Sequence, residues 1–482
     1  MKKLEWLLIL NIFLYSHQRN WPMFHYDKEN TGLSRLVGRI NQYILKWSVQ
    51  PSLRIDAGCV IEDVNNDGNM EVIIGTVNDH VVCIKGEDGS ILWDKNLSPY
   101  RIHSDCGVAD FDLDGKMEIM VPSNGYAVHC LNGEDGSILW QRQIQDQIIS
   151  PVNFADLDND GKLEIVFGGW QNGQYVYCLN GEDGSELWKV QFVAGVRVSP
   201  AIADIDEDGK LEVIACSSNG YVYAINGEDG SILWTYYVSN PATFWISAPA
   251  IADLDNDNKL EIVFGTWEGR VFCLSNTGSI KWVYQLGSGG EIRIVGGAPA
   301  IGDIDLDGIP EVIIGSESYI TGTSTGLHAF KGNNGSLLWT FGLGLDFNSA
   351  PSLCDINGDG YLEIIAGTDQ YDVYCVNRYG SQLWVFHTDS CVKSSPAIGD
   401  IDNDGFPEIV FGSQDRKVYA LDEYVNVKEP KIGYKFIFKN LVQYEPLTLF
   451  NLAGQRISDK NLKEGIYILK IKGKNFKFLK IK

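Results

Sequence analysis

The chain has 482 residues, a net charge of −24 and 44% hydrophobic residues. A chain of this length buries a sizeable core, and a body this acidic excludes nucleic acid as a partner. The charge is uneven: residues 431–482 carry eleven Lys, one Arg and three acids, a balance of +9, which leaves −33 on the rest.

Residues 1–18, MKKLEWLLILNIFLYSHQ, set two lysines before an apolar run of signal-peptide length, too short to span a membrane. The segment reads as a secretory signal peptide and predicts export. No later run reaches transmembrane length. Residues 19–41 form a lead-in, and from 42 to 427 the chain is built of repeats.

Each repeat carries one acidic loop, D-x-[DN]-x-D-[GN]-x-x-E. Its first position is Asp63, Asp110, Asp156, Asp204, Asp253, Asp303, Asp355 and Asp400. The third is Asn65, Asp112, Asp158, Asp206, Asp255, Asp305, Asn357 and Asp402. The fifth is Asp67, Asp114, Asp160, Asp208, Asp257, Asp307, Asp359 and Asp404. The ninth is Glu71, Glu118, Glu164, Glu212, Glu261, Glu311, Glu363 and Glu408. Successive loops start 47, 46, 48, 49, 50, 52 and 45 residues apart, and a period of this size marks a repeat architecture.

The fourth repeat, RVSPAIADIDEDGKLEVIACSSNGYVYAINGEDGSILWTY, reads as four short strands separated by the acidic loop, a Ser-Asn-Gly turn and a Gly-Glu-Asp-Gly turn. Sustained helical periodicity is missing. The reading is all-β, a β-propeller. The fourth strand carries Trp47, Trp93, Trp140, Trp188, Trp234, Trp282, Trp339 and Trp384. Trp47 precedes the first acidic loop, and no Trp strand follows Leu421. The segment around residues 43–49 therefore completes the last blade, giving eight blades closed by an N-terminal strand. Cys83, Cys130, Cys178, Cys273 and Cys375 share one strand position with Ala224, Ala329 and Ala420, as a small buried site would. Cys59 and Cys106 occupy another shared position, where a bridge is sterically conceivable.

Oxygen ligands at alternate positions of a tight turn suit a hard cation, above all calcium. Glycine at position six supplies φ > 0, and Asn258, its replacement in the fifth loop, tolerates the same conformation. The loops hold 30 carboxylates at the four ligand positions, so eight bound Ca2+ would bring the chain to −8. Asn65 and Asn357 each remove one charge and predict weaker sites. One ion per blade reads as structural calcium tying the first two strands together.

The opposite ends of the strands carry Arg54, Arg101, His103, Arg197, Arg293 and Lys393 on the approach to each first strand. Phe244 and Trp245 join them, with Trp170 and Trp267 in turns after second strands. These predict a cationic, aromatic-lined mouth for an acidic sugar, another anion or a peptide carboxylate. Insertions at 288–297 and 319–325 enlarge blade six there.

The loops resemble the calcium loops of FG-GAP or VCBS-type propellers. The pattern YAINGEDGSILW and the lead-in from Trp21 to Gly32 resemble pyrroloquinoline-quinone-type propellers. Together they span roughly residues 20–425. By resemblance, the carbonyl of position seven also binds the cation. The quinone enzymes of that group use adjacent cysteines, and no Cys-Cys occurs here. Propeller scaffold lipoproteins carry a lipobox cysteine, which is likewise missing after residues 1–18. Some rhamnogalacturonan lyases are calcium-loaded eight-bladed propellers.

Residues 431–482 read as a small β-sandwich-like domain, with Lys alternating with apolar residues. LTLFNLAGQRI, EGIYILKIKG and KFLKIK resemble the C-terminal sorting domain of type IX secretion, which implies contact with secretion machinery and a place on the cell surface. The functional expectation is a non-enzymatic binding or adhesion module for an extracellular glycan or protein. The alternative is a calcium-dependent polysaccharide lyase, with His103 beside Arg101 as base.

Overall fold

The computed structural model describes residues 20–51, 54–238, 246–287, 292–294, 297–318 and 325–423, together with the strands Thr448–Asn451, Arg456–Ile457, Gly465–Ile471 and Lys474–Lys480. Residues 1–18, read as a signal peptide, lie outside them. So do most of the two blade-six insertions. The chain divides into two compact units, Met1–Tyr424 and Val425–Lys482.

The first unit is an eight-bladed β-propeller. Blade four shows the plan: Ala201–Ala203, Glu212–Cys216, Tyr221–Asn226 and Ile232–Tyr237 pair antiparallel in chain order. Its second strand is buried at every residue, because neighbouring blades cover both of its faces, so the apolar residues do not alternate. The fourth strand is wet on one face and alternates. First strands of neighbouring blades run side by side, and that of blade eight, Ala397–Gly399, meets that of blade one, Val60–Glu62. The N-terminal strand Tyr43–Val49 pairs antiparallel with Val418–Glu423 as the outer strand of blade eight. The ring is thereby closed by both of its ends, and no blade is left unfinished.

The tryptophans form the seams. The indole N–H of Trp47, Trp93, Trp140, Trp188, Trp234, Trp282 and Trp339 donates to a backbone carbonyl in the next blade, at 2.6–3.0 Å. Each of these rings lies on a turn glycine of that blade. Gly335, at φ +68°, has room for no Cβ, which would meet Trp282 at 2.4 Å. The small strand-three position is the cross-strand partner of the same tryptophan: Cys178 opposes Trp188 and Ala224 opposes Trp234, each beside a β-bulge. A larger residue there would collide with the indole, which explains the Cys-or-Ala choice. All ten cysteines are free, Cys59 and Cys106 among them, so the conceivable bridge is not formed.

One feature has no counterpart in the repeat pattern. The lead-in fills the axis. Trp21 exchanges two backbone hydrogen bonds with Ile61 of blade one, and the N–H groups of Val108, Ile202, Ile251, Ile301 and Leu353 donate to the carbonyls of Pro22, Lys28, Glu29, Thr31 and Gly32. In blade three the Asn153 amide donates to the Lys28 carbonyl instead. The buried His25 ring bridges the carbonyls of Asn30 and Pro351. Leu33–Val37 then adds a parallel fifth strand to blade seven, against Ser352–Asp355. Inner sheet edges that would face the axis unpaired are thus satisfied by the chain's own backbone.

In the second unit, Arg456–Ile457, Thr448–Asn451, Gly465–Ile471 and Lys474–Lys480 form one antiparallel sheet in that order. A facing second sheet, as a sandwich needs, is not among the described residues.

Candidate functional site

The propeller presents two faces. On the first, each acidic loop curls around its own carboxylates. In loop one, Asp63 accepts the N–H groups of Asp67 and Gly68, Asn65 accepts that of Asp67, and Glu71 accepts that of Val64. Two residues per loop are left-handed: position six, as the pattern requires, and also position four, such as Asn66, Asn159 and Asn403. Asn66 and Asn403 reach across to glycine carbonyls of the next loop, joining neighbouring blades.

Carboxylate oxygens of Asp156, Asp158 and Glu164 lie within 4.8 Å of one another, as do those of Asp204, Asp206 and Glu212, and likewise in other loops. Burial first, and the neighbouring loop carboxylates after it, push Glu118, Glu164 and Glu212 up to about 7 and Glu71 and Glu363 up to about 8. A buried carboxylate set without counter-charge is costly, and a cation relieves it. Oδ1 of Asp110, Asp156 and Asp204 is buried and accepts no hydrogen bond. A carboxylate has only acceptor capacity, so these oxygens fit a cation ligand set.

Loops five and six differ. The Lys281 ammonium donates to Asp255 at 2.6 Å and Glu261 at 2.8 Å. Lys331 donates to Asp305, Asp307 and Glu311 at 2.9, 2.6 and 2.9 Å. In loop eight, Lys46 donates to Asp402 and Asp422. By contrast, Lys116, Lys162 and Lys210, within loops two to four, point away to Glu134, Glu182 and Glu228 of the adjacent turns.

On the second face a cavity of about 630 Å³ takes residues from all eight blades. Of the residues expected there, Arg54, His103, Trp170, Arg197 and Lys393 line it. Arg101 lines two smaller cavities nearby instead. Arg293 stacks on Trp267 at 3.7 Å, away from the central lining. Phe244 and Trp245 lie outside the described residues.

The expected cationic mouth is corrected by carboxylates that the repeat reading did not single out. Asp56 takes both Arg54 donors, at 2.8 and 2.7 Å, and sits 3.6 Å from His103 Nδ1. Burial alone would raise its pKa, but the hydrogen bonds from His103 and Arg54 hold Asp56 well below the usual carboxylate range. Lys393 lies 3.9 Å from Asp369, and the Asn348 amide donates to Glu317 at 3.1 Å. Arg197 stacks on Trp170 at 4.4 Å. The mouth is charge-balanced, with polar groups and one cation–π stack.

A sequence signal for these groups did exist. The second residue after each second strand's terminal glycine position is Val77, Asn124, Trp170, Ser218, Trp267, Glu317, Asp369 and Gln414. One repeat position thus supplies seven kinds of side chain to eight blades, with Trp the one repeated.

Fold and loops define an eight-bladed β-propeller with one acidic loop per blade. The family described as outer membrane protein assembly factor BamB matches residues 47–157 and 159–304, more than half of the chain, and the protein belongs to that family of pyrroloquinoline-quinone-like repeats. The family described as the lambda-carrageenase β-propeller domain matches residues 323–429. Among solved structures, BamB from Moraxella catarrhalis is 16% identical with a TM-score of 0.56, covering 81% of this chain and 100% of its own. A quinohemoprotein alcohol dehydrogenase from Pseudomonas putida HK5 is 13% identical, TM-score 0.64, over 86% of this chain and 82% of its own. The Vibrio cholerae biofilm matrix protein Bap1 is 15% identical, TM-score 0.57, over 81% of this chain and 92% of its own. No curated protein matches in sequence. With its ten cysteines free, nine of them buried and none adjacent in sequence, the chain does not fit the cysteine-pair quinone site.

Proposed function

We propose that the protein is an exported, calcium-stabilised propeller that acts as a non-enzymatic binding or adhesion module at the cell surface, taking an extracellular glycan or protein at the mouth opposite the acidic loops. The observation that carries this reading is a cavity of about 630 Å³ lined from all eight blades, to which this variable position contributes Asn124, Trp170, Ser218, Glu317 and Asp369. Scaffold positions repeat, whereas this position varies around the ring, with only Trp170 and Trp267 alike, as a shaped recognition surface requires. Paired charges, amides and an Arg-stacked Trp170 suit a polyhydroxylated ligand, whose hydroxyls both donate and accept. The calcium ions belong to the other face and hold the blades. The basic C-terminal unit serves export or anchoring through secretion machinery. No helix among the described residues is long and apolar enough to cross a membrane.

A polysaccharide lyase is the second reading, favoured by the carrageenase-propeller match and by His103 poised between Asp56 and the cavity. A glycan array together with a turnover screen on carrageenans and uronate polysaccharides separates the two. Binding without turnover, abolished in Trp170→Ala with Arg197→Ala, is the expected result. Release of unsaturated oligosaccharides, lost in His103→Ala, would replace the binder with the lyase. Cell fractionation tests the placement: the protein should be accessible to protease on intact cells.

A further inference from the structure

The eight acidic loops are alike in sequence, yet their surroundings divide them. We infer that loops five and six are closed to divalent cations because an ammonium of the chain itself occupies their ligand set. This rests on the calcium reading of the remaining loops.

Lys331 carries the argument furthest. Its three N–H donors meet Asp305, Asp307 and Glu311, which are ligand positions three, five and nine. An ammonium has three donors and no acceptor, so its valence is filled by the same oxygens a metal would take. The Lys331 side chain is only 19% exposed. A divalent ion within 2.3–2.6 Å of those oxygens would stand next to the ammonium nitrogen, and two unshielded cations at that range repel strongly. Lys281 does the same in loop five from a different direction. It lies on the fourth strand directly before Trp282, and its nitrogen is 2.6, 2.8 and 3.8 Å from Asp255, Glu261 and Asp257.

The positions that supply these lysines are variable in the repeat. The residue before the seam tryptophan is leucine in blades one to four, six and seven, but Lys281 in blade five and Lys46 in blade eight. Lys46 touches only one loop carboxylate, Asp402, and spends its second contact on Asp422, so loop eight is not closed by the same argument. In loops two to four the nearby lysines are engaged with turn glutamates and leave the cage open. An orphan acceptor alone does not separate the loops, since Oδ1 of Asp255 lacks a donor as Oδ1 of Asp110, Asp156 and Asp204 does; the ammonium on Asp255 Oδ2 and Glu261 does. One fold thus neutralises the same carboxylate cage in two ways, by ion and by side chain.

The test is calcium stoichiometry on the full chain, by equilibrium dialysis with elemental analysis. The wild type should retain no more than six ions. Lys281→Met and Lys331→Met should each add one, and the double variant two. Because loss of the ammonium leaves a bare carboxylate cluster, each variant should also melt lower than wild type in EDTA and regain that loss in millimolar Ca2+. Lys95→Met, at a half-buried strand position outside the acidic loops, is the control and should change neither count nor melting. Eight ions in the wild type would overturn the inference while leaving structural calcium intact. An unchanged count in both variants, with folding verified by circular dichroism, would overturn it equally. Retention of no calcium by any form would instead remove the calcium reading beneath it.

Discussion

At the residue scale, two glycines of similar backbone conformation have different reasons to be glycine. Gly68 in an acidic loop has φ +89° and nothing near its missing Cβ, whereas Gly335 at φ +68° is pressed against Trp282. Gly68→Ala should therefore cost only the left-handed penalty, about 1–2 kcal/mol. Gly335→Ala adds a clash between blades and should cost roughly 1–3 kcal/mol more. Thermal melts of the two variants at saturating calcium compare them, and equal losses would contradict the seam packing. Asp27, in the axial lead-in, gives a pH signature. Burial pushes its carboxyl up to about 6, against the hydrogen bonds it accepts from Thr31. The folded protein then holds this proton where the unfolded chain has released it, so Asp27 lowers stability as pH rises from about 4 to 6. Asp27→Asn should remove that component, on the order of 3 kcal/mol by pH 7, seen as a shrinking wild-type deficit in melts at descending pH.

At the scale of elements, the blade is a self-similar unit whose contacts were largely legible in the chain. Acidic loop, turn glycine and seam tryptophan recur at fixed offsets, so local pattern sufficed for blade count and ring closure. The mouth was less legible, since charge balance depends on which side chains from different blades meet. Arg54 was visible, but its neutralisation by Asp56 and the approach of Asp369 to Lys393 are properties of the assembled ring. The lead-in was opaque for another reason: it docks through backbone carbonyls, which carry no sequence signature. One seam also departs from the rest. In blade eight the outer strand comes from the N-terminal segment, and the indole N–H of Trp384 has no acceptor among the described residues, although Tyr43 packs against its ring at 5.2 Å. Trp188→Phe should cost about 1–2 kcal/mol more than Trp384→Phe, because only the former strands a buried carbonyl. Denaturant midpoints at unchanged slope provide the comparison.

At the scale of the whole molecule, the proposed ions at the rim and the plug at the axis both bear on stability. Excess EDTA should lower the melting temperature substantially, since each site filled at 100-fold its Kd contributes about 2.7 kcal/mol. An unchanged melt would defeat structural calcium. Deleting residues 20–32 should remove hydrogen-exchange protection at Ile202, Ile251, Ile301 and Leu353, whose N–H groups pair with that segment. Retained protection would mean that the inner edges are satisfied without it. The plug also governs the order in which the molecule can be made. His25 meets Pro351, 326 residues later, and Tyr43 pairs with Glu423. The N-terminal segment thus waits for almost the last strand, and the ring is not closed until the strand at Val418–Glu423 has left the ribosome. Such long-range closure is slow, and the open sheet edges of the waiting chain are prone to mispairing. Under the proposed export, the chain gains from crossing its membrane as an extended thread and winding into a ring only on the far side.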